Sequence, residues 1–406
     1  GALQGETVHS WGLWQPRSDG ANSAAVSTFG APLTRLVTLL SMACDGVGPS
    51  YTCTRLLQGM TLRGLSGPLY VNRARKRLDG IDYRVAMPGS LAWVPYGFYT
   101  QFATRRSEQS FLANLTEGDV AYLWPAASLR IYEEVARQGF PIVSEGINTR
   151  MAYAKQILDG AYEVEGLAPT HGITDERIRI EDEKLGMTTA IFAPSRGVER
   201  SLSDAPVAPE NILPSSYGAS FETALKQQPV SPTDPPTVLF VGYGCIRKGT
   251  HQLLRAWARS GVSGRLLLAG DLEPAVRRLC SNELNREDVV SLGFVRDVER
   301  LYKQADMLVL PSFEEGDPLV TYEAAAHGLA ILASPMGAGR IGEQTGCVRM
   351  IDPADADNIA EALRDLSARP DEIRFLGDLG RTAVRDYEWT RVGARRADLL
   401  RDRLGL

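Results

Sequence analysis

The stretch ADMLVLPSFEEGDPLVTYEAAAHG, residues 305–328, decides the fold and carries the strongest candidate site. Residues 307–310 are an apolar run typical of a strand buried on both faces of a parallel sheet. After an acidic loop, residues 319–327 predict a helix, with three consecutive alanines and a glycine stop at Gly328. A strand, a loop at its carboxyl end and a helix amino terminus form the usual ligand crevice of an open α/β sheet.

The start of the predicted helix combines a preference for anions with two acids. Free N–H groups near Leu319, Val320 and Thr321, together with the helix dipole, favour a phosphate. Glu315 and Glu323 flank the same helix start. Two carboxylates would repel an anion unless each of them binds neutral groups. We therefore expect the glutamates to bind groups such as sugar hydroxyls.

This block resembles the E-x7-E motif of retaining glycosyltransferases of the GT-B fold, family 4. Six further positions agree with the family pattern: Pro311, Ser312, Gly316, Ala324, Ala326 and Gly328. The chain departs from it at Asp317-Pro318, where the family usually has Phe-Gly. The resemblance implies that Glu323 binds the nucleotide ribose and that Glu315, beside Gly316, faces the donor sugar. A bare pair of acids would more simply be two surface residues on a solvated helix, but the whole block favours a site.

A second phosphate-binding candidate follows the apolar run at 237–241. Gly242 opens a glycine loop there, and the pair Arg247-Lys248 precedes a segment with helical spacing. Backbone N–H groups and two cations suit a diphosphate, to which arginine offers paired hydrogen bonds. In the family the lysine of this loop holds the donor phosphates, which implies that role for Lys248, with Arg247 as a second charge. The alternative is a surface Arg-Lys pair after a turn.

The remaining candidate contacts also come from the resemblance. It implies that the turn with Gly293 and Val295 meets the nucleotide base. It also implies that the loop after the strand predicted at 35–42 faces the cleft through two glycines, Gly46 and Gly48.

The largest departure from the family lies beyond the strand predicted at 141–144. Many members have a histidine there that contacts the donor sugar, whereas this chain has Glu145-Gly146-Ile147-Asn148. Either Glu145 or Asn148 takes that place in a different loop form, or the two sequences do not align here. A buried or capping role for Glu145 is an equal alternative.

Alternating strand and helix patterns predict an α/β protein with parallel sheets. The resemblance implies a GT-B architecture, two Rossmann-like doubly wound domains facing a central cleft. We expect five parts: an amino-terminal arm at 1–34, an acceptor-side domain at 35–225, a proline-rich linker at 226–236, a nucleotide-sugar domain at 237–388, and a last helix at 389–406 that packs back on the first domain. Residues 334–340 are predicted to be a glycine-rich loop.

Composition excludes several other classes of protein. The 406 residues are 44% hydrophobic and 23% charged, as in a globular protein of two domains. A net charge of −5 gives no reason to expect nucleic acid as a partner. Five scattered cysteines and four dispersed histidines predict reduced thiols, a cytoplasmic location and no metal site.

An aromatic and arginine cluster near residues 96–106 leaves open a peripheral contact with the inner face of a membrane. A charged, solvated face beside ordinary core aromatics is the simpler interpretation.

These features predict a metal-independent, retaining hexosyltransferase without a cofactor. It would move a sugar from a UDP-sugar or GDP-sugar to a glycan or glycolipid acceptor, in the synthesis of cell-surface polysaccharide or glycolipid. The family reacts at one face of a cationic sugar centre without an obvious protein nucleophile. Two alternatives remain: a nucleotide-sugar epimerase of the same fold, and a non-catalytic subunit that only binds a nucleotide sugar.

Overall fold

The computed structural model describes residues 35–87, 97, 99–226 and 232–406. The predicted arm at 1–34, Tyr96 and Phe98 of the aromatic cluster, and residues 227–231 of the predicted linker lie outside the described residues.

The first domain is built on a parallel sheet of seven strands in the order β3-β2-β1-β4-β5-β6-β7. The strands are β1 (Leu36–Cys44), β2 (Leu69–Ala74), β3 (Tyr83–Val85), β4 (Val120–Leu123), β5 (Ile142–Glu145), β6 (Ala190–Ala193) and β7 (Ile212–Pro214). Every residue of β4, β5 and β6 is buried, as expected for parallel strands covered on both faces.

Helices connect these strands, as parallel pairing requires. They are α1 (Gly48–Leu62), α2 (Thr100–Ala113), α3 (Leu129–Arg137), α4 (Met151–Val164), α5 (Asp175–Gly186), α6 (Arg196–Ser201) and α7 (Glu222–Lys226). The start of α5 shows why a highly charged segment becomes helical. Thr174 caps it by accepting a hydrogen bond from the N–H of Arg177, and two acids occupy its first turn.

The second domain has a parallel sheet of six strands in the order β10-β9-β8-β11-β12-β13. Its strands are β8 (Thr237–Val241), β9 (Arg265–Ala269), β10 (Val289–Gly293), β11 (Met307–Leu310), β12 (Ala330–Ala333) and β13 (Val348–Met350). Its helices are α8 (Thr250–Ser260), α9 (Pro274–Leu279), α10 (Ser281–Leu284), α11 (Glu299–Tyr302), α12 (Leu319–His327), α13 (Pro335–Thr345), α14 (Ala356–Ser367) and α15 (Pro370–Ala383), and α16 (Trp389–Leu404) ends the chain.

The segment at 334–340 is not the glycine-rich loop that its composition predicts. It begins α13, because Ser334 caps the helix by accepting a hydrogen bond from Gly337 and Pro335 occupies the first turn. Gly339 alone leaves helical geometry, at φ 60°. Cap and proline therefore outweigh the low helix propensity of glycine here.

The order of the strands in the second sheet determines where the ligand crevice of that domain lies. β8 pairs with β9 on one side and with β11 on the other, so the chain reverses direction across the sheet at β8. The loops at 242–249 and 311–318 leave the carboxyl ends of β8 and β11, where open α/β sheets bind ligands.

The last helix packs on the first domain. An added Cβ at Gly59 of α1 would lie 2.8 Å from the Cα of Gly393 of α16, so the two helices touch backbone to backbone. The indole N–H of Trp389 donates to the hydroxyl of Tyr51 at 3.2 Å. The described residues between 35 and 406 form one compact unit.

Candidate functional site

Two glycines bring the loops after β8 and β11 together. Gly249 has a φ of 65°, and an added Cβ would lie 1.9 Å from the carbonyl oxygen of Pro311, so only glycine fits. Gly242 has a φ of 135°, and its missing side chain leaves room for the stem of Lys248. The ammonium group of Lys248 is thereby directed to the loop after β11.

Glu315 lies at the centre of this cluster and is only 7% exposed. The Nζ of Lys248 donates to Oε1 of Glu315, and Nη1 of Arg247 donates to Oε2 at 3.3 Å. The hydroxyl of Ser312 donates to Oε1 at 3.3 Å. Burial raises the pKa of Glu315, but the charges of Lys248 and Arg247 outweigh it and leave the pKa below its usual range. Glu315 is therefore an anion held between two cations.

Glu314 joins this cluster to the first domain. Nη1 of Arg247 donates to its carbonyl oxygen at 3.1 Å and to Oε2 at 3.2 Å. Its other carboxylate oxygen accepts from the N–H of Thr149 at 3.1 Å and from the hydroxyl of Thr149 at 2.8 Å. The guanidinium group is thus fixed by an acid that also holds the loop after β5.

The amino terminus of α12 presents a smaller anion site than the sequence predicts. Leu319 and Val320 are half-buried, and their N–H groups precede the first intrahelical hydrogen bonds. Thr321 is fully buried; its N–H donates to the carbonyl of Pro318 at 3.2 Å and its hydroxyl to that of Gly337 at 2.7 Å. Thr321 therefore closes the first turn and has no donor left for a phosphate.

Glu323 lies on the same helix and has a single side-chain partner in the described part of the chain, the hydroxyl of Tyr302, which donates at 2.8 Å. Burial raises the pKa of Glu323, and the hydrogen bond from Tyr302 opposes this. The ring of His327 stacks on Tyr302 at 5.1 Å between centroids. The hydrogen bond from Tyr302 fixes one carboxylate oxygen of Glu323, and the other oxygen is available to a ligand.

The turn after β10 supplies an exposed edge next to the crevice. Gly293 adopts a φ of 61°, and its carbonyl accepts from the N–H of Gly270 at 2.8 Å, which ties the turn to the end of β9. Val295 is half-buried, and Phe294 between them is 79% exposed. The turn thus offers backbone groups beside an exposed aromatic ring.

The first-domain candidates divide into two groups. Gly46 and Gly48 have positive φ angles and open space where a side chain would be, and Asn148 is exposed. Glu145 has no exposed side-chain surface and forms an ion pair with Arg396 of α16, with Nη1 at 2.8 Å from Oε2. Tyr217 also donates to it, at 2.9 Å. The structure therefore favours the buried role for Glu145, whose carboxylate is held by these partners.

Residues 316 and 317 fasten the two domains to each other. An added Cβ at Gly316 would lie 1.7 Å from the carbonyl oxygen of Ile147, so the loop after β5 rests directly on this glycine. Asp317 accepts from the backbone N–H of Tyr217 at 2.6 Å, from the hydroxyl of Tyr322 at 2.7 Å and from the N–H of Arg340 at 2.9 Å. Burial raises the pKa of Asp317 to about 6.

Sequence reasoning did not identify Glu314, Tyr302 or Asp317 as parts of the site. Glu314 adjoins the recognised motif, and an acid beside two cations was a usable signal. Tyr302 and Asp317 act through partners far away along the chain or on another element, and no local pattern reports such contacts.

No group of three or more histidine, cysteine, aspartate or glutamate side chains in the described part of the chain is arranged to hold a metal ion. Likewise, none of the described helices is both long and apolar enough to cross a membrane. All five cysteines are free and buried.

Comparison with known proteins agrees with this geometry. Residues 235–369 match the family model described as glycosyl transferases group 1. An MMP alpha-(1->4)-mannosyltransferase of Mycolicibacterium hassiacum is 37% identical over 157 residues, which cover 36% of this chain and 38% of that protein. The match thus spans well under half of this curated relative.

Solved structures match over nearly the whole chain. Sucrose-phosphate synthase from Thermosynechococcus elongatus has a TM-score of 0.68 at 20% identity, over 92% of this chain and 99% of that one. Anabaena HepE, solved in complex with UDP and glucose, has a TM-score of 0.63 at 14% identity, over 91% of this chain and 100% of that one. Such likeness shows the fold, which is that of GT-B glycosyltransferases. Residues 235–369 of the second domain, which include the cluster around Glu315, are thus similar to the group 1 glycosyltransferases.

Proposed function

We propose that this chain is a retaining glycosyltransferase that moves a sugar from a nucleoside-diphosphate sugar to a glycan or glycolipid acceptor, without a metal ion. One observation carries the proposal. Lys248 and Arg247 converge on Glu315 next to the amino terminus of α12, and the loop after β5 closes the cluster from the other domain.

The donor diphosphate would bind Lys248, Arg247 and the N–H groups of Leu319 and Val320. Glu314 and Glu315 now balance the two cations, and the phosphates would take over part of that role. As the bond to the sugar breaks, negative charge grows on the leaving phosphate. Fixed cations and a helix terminus stabilise this charge at little reorganisation cost. These groups supply the positive charge that a metal ion would otherwise provide.

The nucleoside would bind along the outer side of the same crevice. Glu323 offers the carboxylate oxygen that Tyr302 leaves available to two ribose hydroxyls. The turn with Gly293 and Val295 would contact the base through backbone groups. Backbone groups do not indicate which base binds, so the experiment below distinguishes uracil from guanine. Gly242 lies under the stem of Lys248, and its lack of a side chain leaves space at the base of the crevice.

Glu315 would contact the donor sugar. Its lowered pKa keeps it ionised, so its charge supports a cationic sugar centre. It is not a nucleophile in this proposal, because two cations occupy its oxygens. The exposed residues Gly46, Gly48 and Asn148 would line the sugar from the first domain.

The comparisons support this assignment in two ways. The curated relative from M. hassiacum is named as a mannosyltransferase and is 37% identical to this chain over 157 residues. The HepE structure has the same fold and was solved with UDP and glucose. A nucleotide sugar is thus the ligand class that best fits the site.

A thermal-shift panel of UDP-, GDP- and ADP-sugars tests the proposal. A ligand that binds the folded state raises the melting temperature by mass action. One class of nucleotide sugar should raise it, and Lys248→Ala and Glu323→Ala should each abolish the shift. Lys303→Ala serves as control, because Lys303 pairs with Glu299 on the surface.

No shift with any nucleotide sugar, in protein that is folded, would argue against the donor site. Turnover of a nucleotide sugar to its epimer without an acceptor would instead identify an epimerase. Binding without turnover on any acceptor would favour a non-catalytic subunit.

A further inference from the structure

A cavity of about 960 Å³ lies between the first domain and two loops of the second. Its walls come from α4, α5 and the strands β5 and β6. The loop around 243–247 and the start of α9, with the residue before it, close it from the second domain. It begins beside Arg247 and Glu314, at the edge of the proposed donor site. Among the described residues, Glu323 and Val320 of the donor site do not line it, whereas Arg247 and Asn148 line both, so the cavity extends from the donor site.

Two helices turn one face each toward this cavity. α4 presents Met151, Ala154, Leu158 and Tyr162, which recur at the spacing of one helical stripe. α5 presents Arg177, Ile180, Glu181, Lys184 and Leu185, again one stripe. Further apolar side chains come from the sheet and from the region of α6: Ile191, Val198 and Leu202. Aliphatic side chains thus form one part of the lining, alongside charged and polar ones, and that part suits a hydrocarbon chain better than a sugar ring.

Two of the titratable groups that line the cavity also indicate an apolar surrounding on the α5 side. Burial raises the pKa of Glu181 to about 7 and lowers the pKa of Lys184. Both groups are shifted toward their neutral forms, as happens where water is scarce. Glu181 accepts a hydrogen bond from the N–H of Met151 at 2.6 Å, and Lys184 donates to the carbonyl of Ala127 at 2.6 Å. Both groups therefore have partners in the protein.

The rim of the cavity is cationic. Arg177 donates to the carbonyl of Gly172 at 2.7 Å, and Arg278 is exposed. Within the described ranges, neither of these two arginines forms an ion pair. The nearby acid Glu273 is occupied, since it accepts from the hydroxyl of Tyr162 and from the N–H of Ile246. An anionic group at the rim would therefore find complementary charge.

We propose that this cavity binds the acceptor, and that the acceptor is an anionic amphiphile with one aliphatic chain. The chain lies between α4 and α5, the phosphate-type group meets Arg177 and Arg278, and a hydroxyl group reaches toward Arg247. From Arg177 to Leu185 the helix rises about 12 Å, enough for an alkyl chain of medium length. The acceptor role rests on the glycosyltransferase function proposed above.

The transfer step balances without any further reactant. The acceptor oxygen forms a bond to the anomeric carbon of the donor sugar, while the bond from that carbon to the diphosphate oxygen breaks. The hydroxyl proton passes to the leaving nucleoside diphosphate.

Calorimetric titration with hexyl, octyl and decyl phosphate, each below its micelle-forming concentration, tests the site, and inorganic phosphate is the chain-free probe. Each added methylene should strengthen binding about fourfold, the equivalent of about 0.8 kcal/mol per buried CH₂. Inorganic phosphate should bind at least about 100-fold more weakly than decyl phosphate, since it buries no chain. Equal affinity for all four probes would overturn the proposal and leave a plain phosphate site.

Three variants locate the binding. Ala154→Phe fills the cavity, and Ile180→Glu places a charge on its wall without altering a fully buried position. Either should abolish the dependence on chain length. Arg278→Glu should weaken all alkyl phosphates about tenfold, since it removes a charged contact. Arg265→Glu is the matched control, because Arg265 is exposed at the amino end of β9, at the opposite edge of the sheet.

A dependence on chain length that persists in both Ala154→Phe and Ile180→Glu would overturn the cavity as the site. UDP and GDP titrated onto the same folded variants separate this failure from that of the donor site. Nucleotide binding without alkyl phosphate binding would reject the cavity alone. Alkyl phosphate binding without nucleotide binding would reject the glycosyltransferase function and, with it, the acceptor role.

Discussion

Replacement of Lys248 by methionine separates the structural role of this lysine from its binding role. Methionine keeps an apolar stem above Gly242 and removes the charge. Glu315, only 7% exposed, is then left with Arg247 and Ser312, each at 3.3 Å. Loss of one partner of a buried ion pair costs about 3–5 kcal/mol when the other charge is left alone. Because Arg247 remains, we expect the free energy of unfolding to fall by about 2–3 kcal/mol.

A second substitution, Glu315→Gln, should restore this stability, because it removes the carboxylate that lost its partner. Nucleotide affinity should behave differently. Lys248→Met should weaken UDP or GDP binding about 10- to 100-fold, the value of one charge-assisted contact. The double variant should stay weak in binding, whereas Glu315→Gln alone should retain affinity, because both cations are then released to the diphosphate.

Urea denaturation measures the first effect and calorimetric titration of UDP and GDP the second. Lys303→Met is the control, since Lys303 forms a surface pair with Glu299 at 2.8 Å. Unchanged nucleotide affinity in Lys248→Met would refute the diphosphate site. Stability that stays low in the double variant would show that the ion pair is not the cause of the loss.

Three further predictions concern other parts of the site. Tyr302→Phe removes the 2.8 Å hydrogen bond to Glu323 and should weaken UDP-sugar binding about 5- to 10-fold in calorimetry; an unchanged Kd would speak against the ribose role. Burial raises the pKa of Asp317 to about 6, so the folded state holds this proton more tightly than the unfolded state does. The stability of the wild type should therefore fall by about 3 kcal/mol as the pH rises from about 4 to about 6, and denaturation of Asp317→Asn should lack this component. Gly316→Ala would place a Cβ 1.7 Å from a carbonyl oxygen of the first domain and should lower the melting temperature and turnover together; Gly160→Ala, a helical site with open space, should lower neither.

The block at 305–328 was predictable because its structure is local. An apolar run of four residues gives β11, and the alanines with Gly328 give α12 with a left-handed stop at φ 80°. The two-domain fold followed from the same kind of pattern, repeated along the chain. The failure at 334–340 was local too, since the serine cap and the proline were visible in the sequence and were given less weight than the glycines.

Long-range pairing was not predictable. Glu145 and Arg396 are 251 residues apart and form a buried ion pair between β5 and the last helix. In the sequence, Glu145 was a candidate contact to the sugar because it stands near the place of the family's histidine, and a buried role was an equal alternative. Its partner lies in a helix whose pattern shows only an amphipathic face. The tertiary structure decides which residue pairs with a buried charge, so the pairing cannot be predicted from local patterns in one sequence.

The two departures from the family pattern lie in contact with each other in the structure. One is the loop after β5, which lacks the family's histidine, and the other is Asp317-Pro318, which replaces Phe-Gly. The structure places them together: Ile147 rests on Gly316, Thr149 donates to Glu314, and Asp317 holds the backbone of Tyr217. A carboxylate network thus joins the domains at the place where many family members have a histidine and usually a phenylalanine. We infer that these changes compensate for each other, so restoring Phe-Gly at 317–318 alone should destabilise the chain: it removes three hydrogen bonds to Asp317 and inserts a ring into the space that Tyr217, Tyr322 and Arg340 enclose.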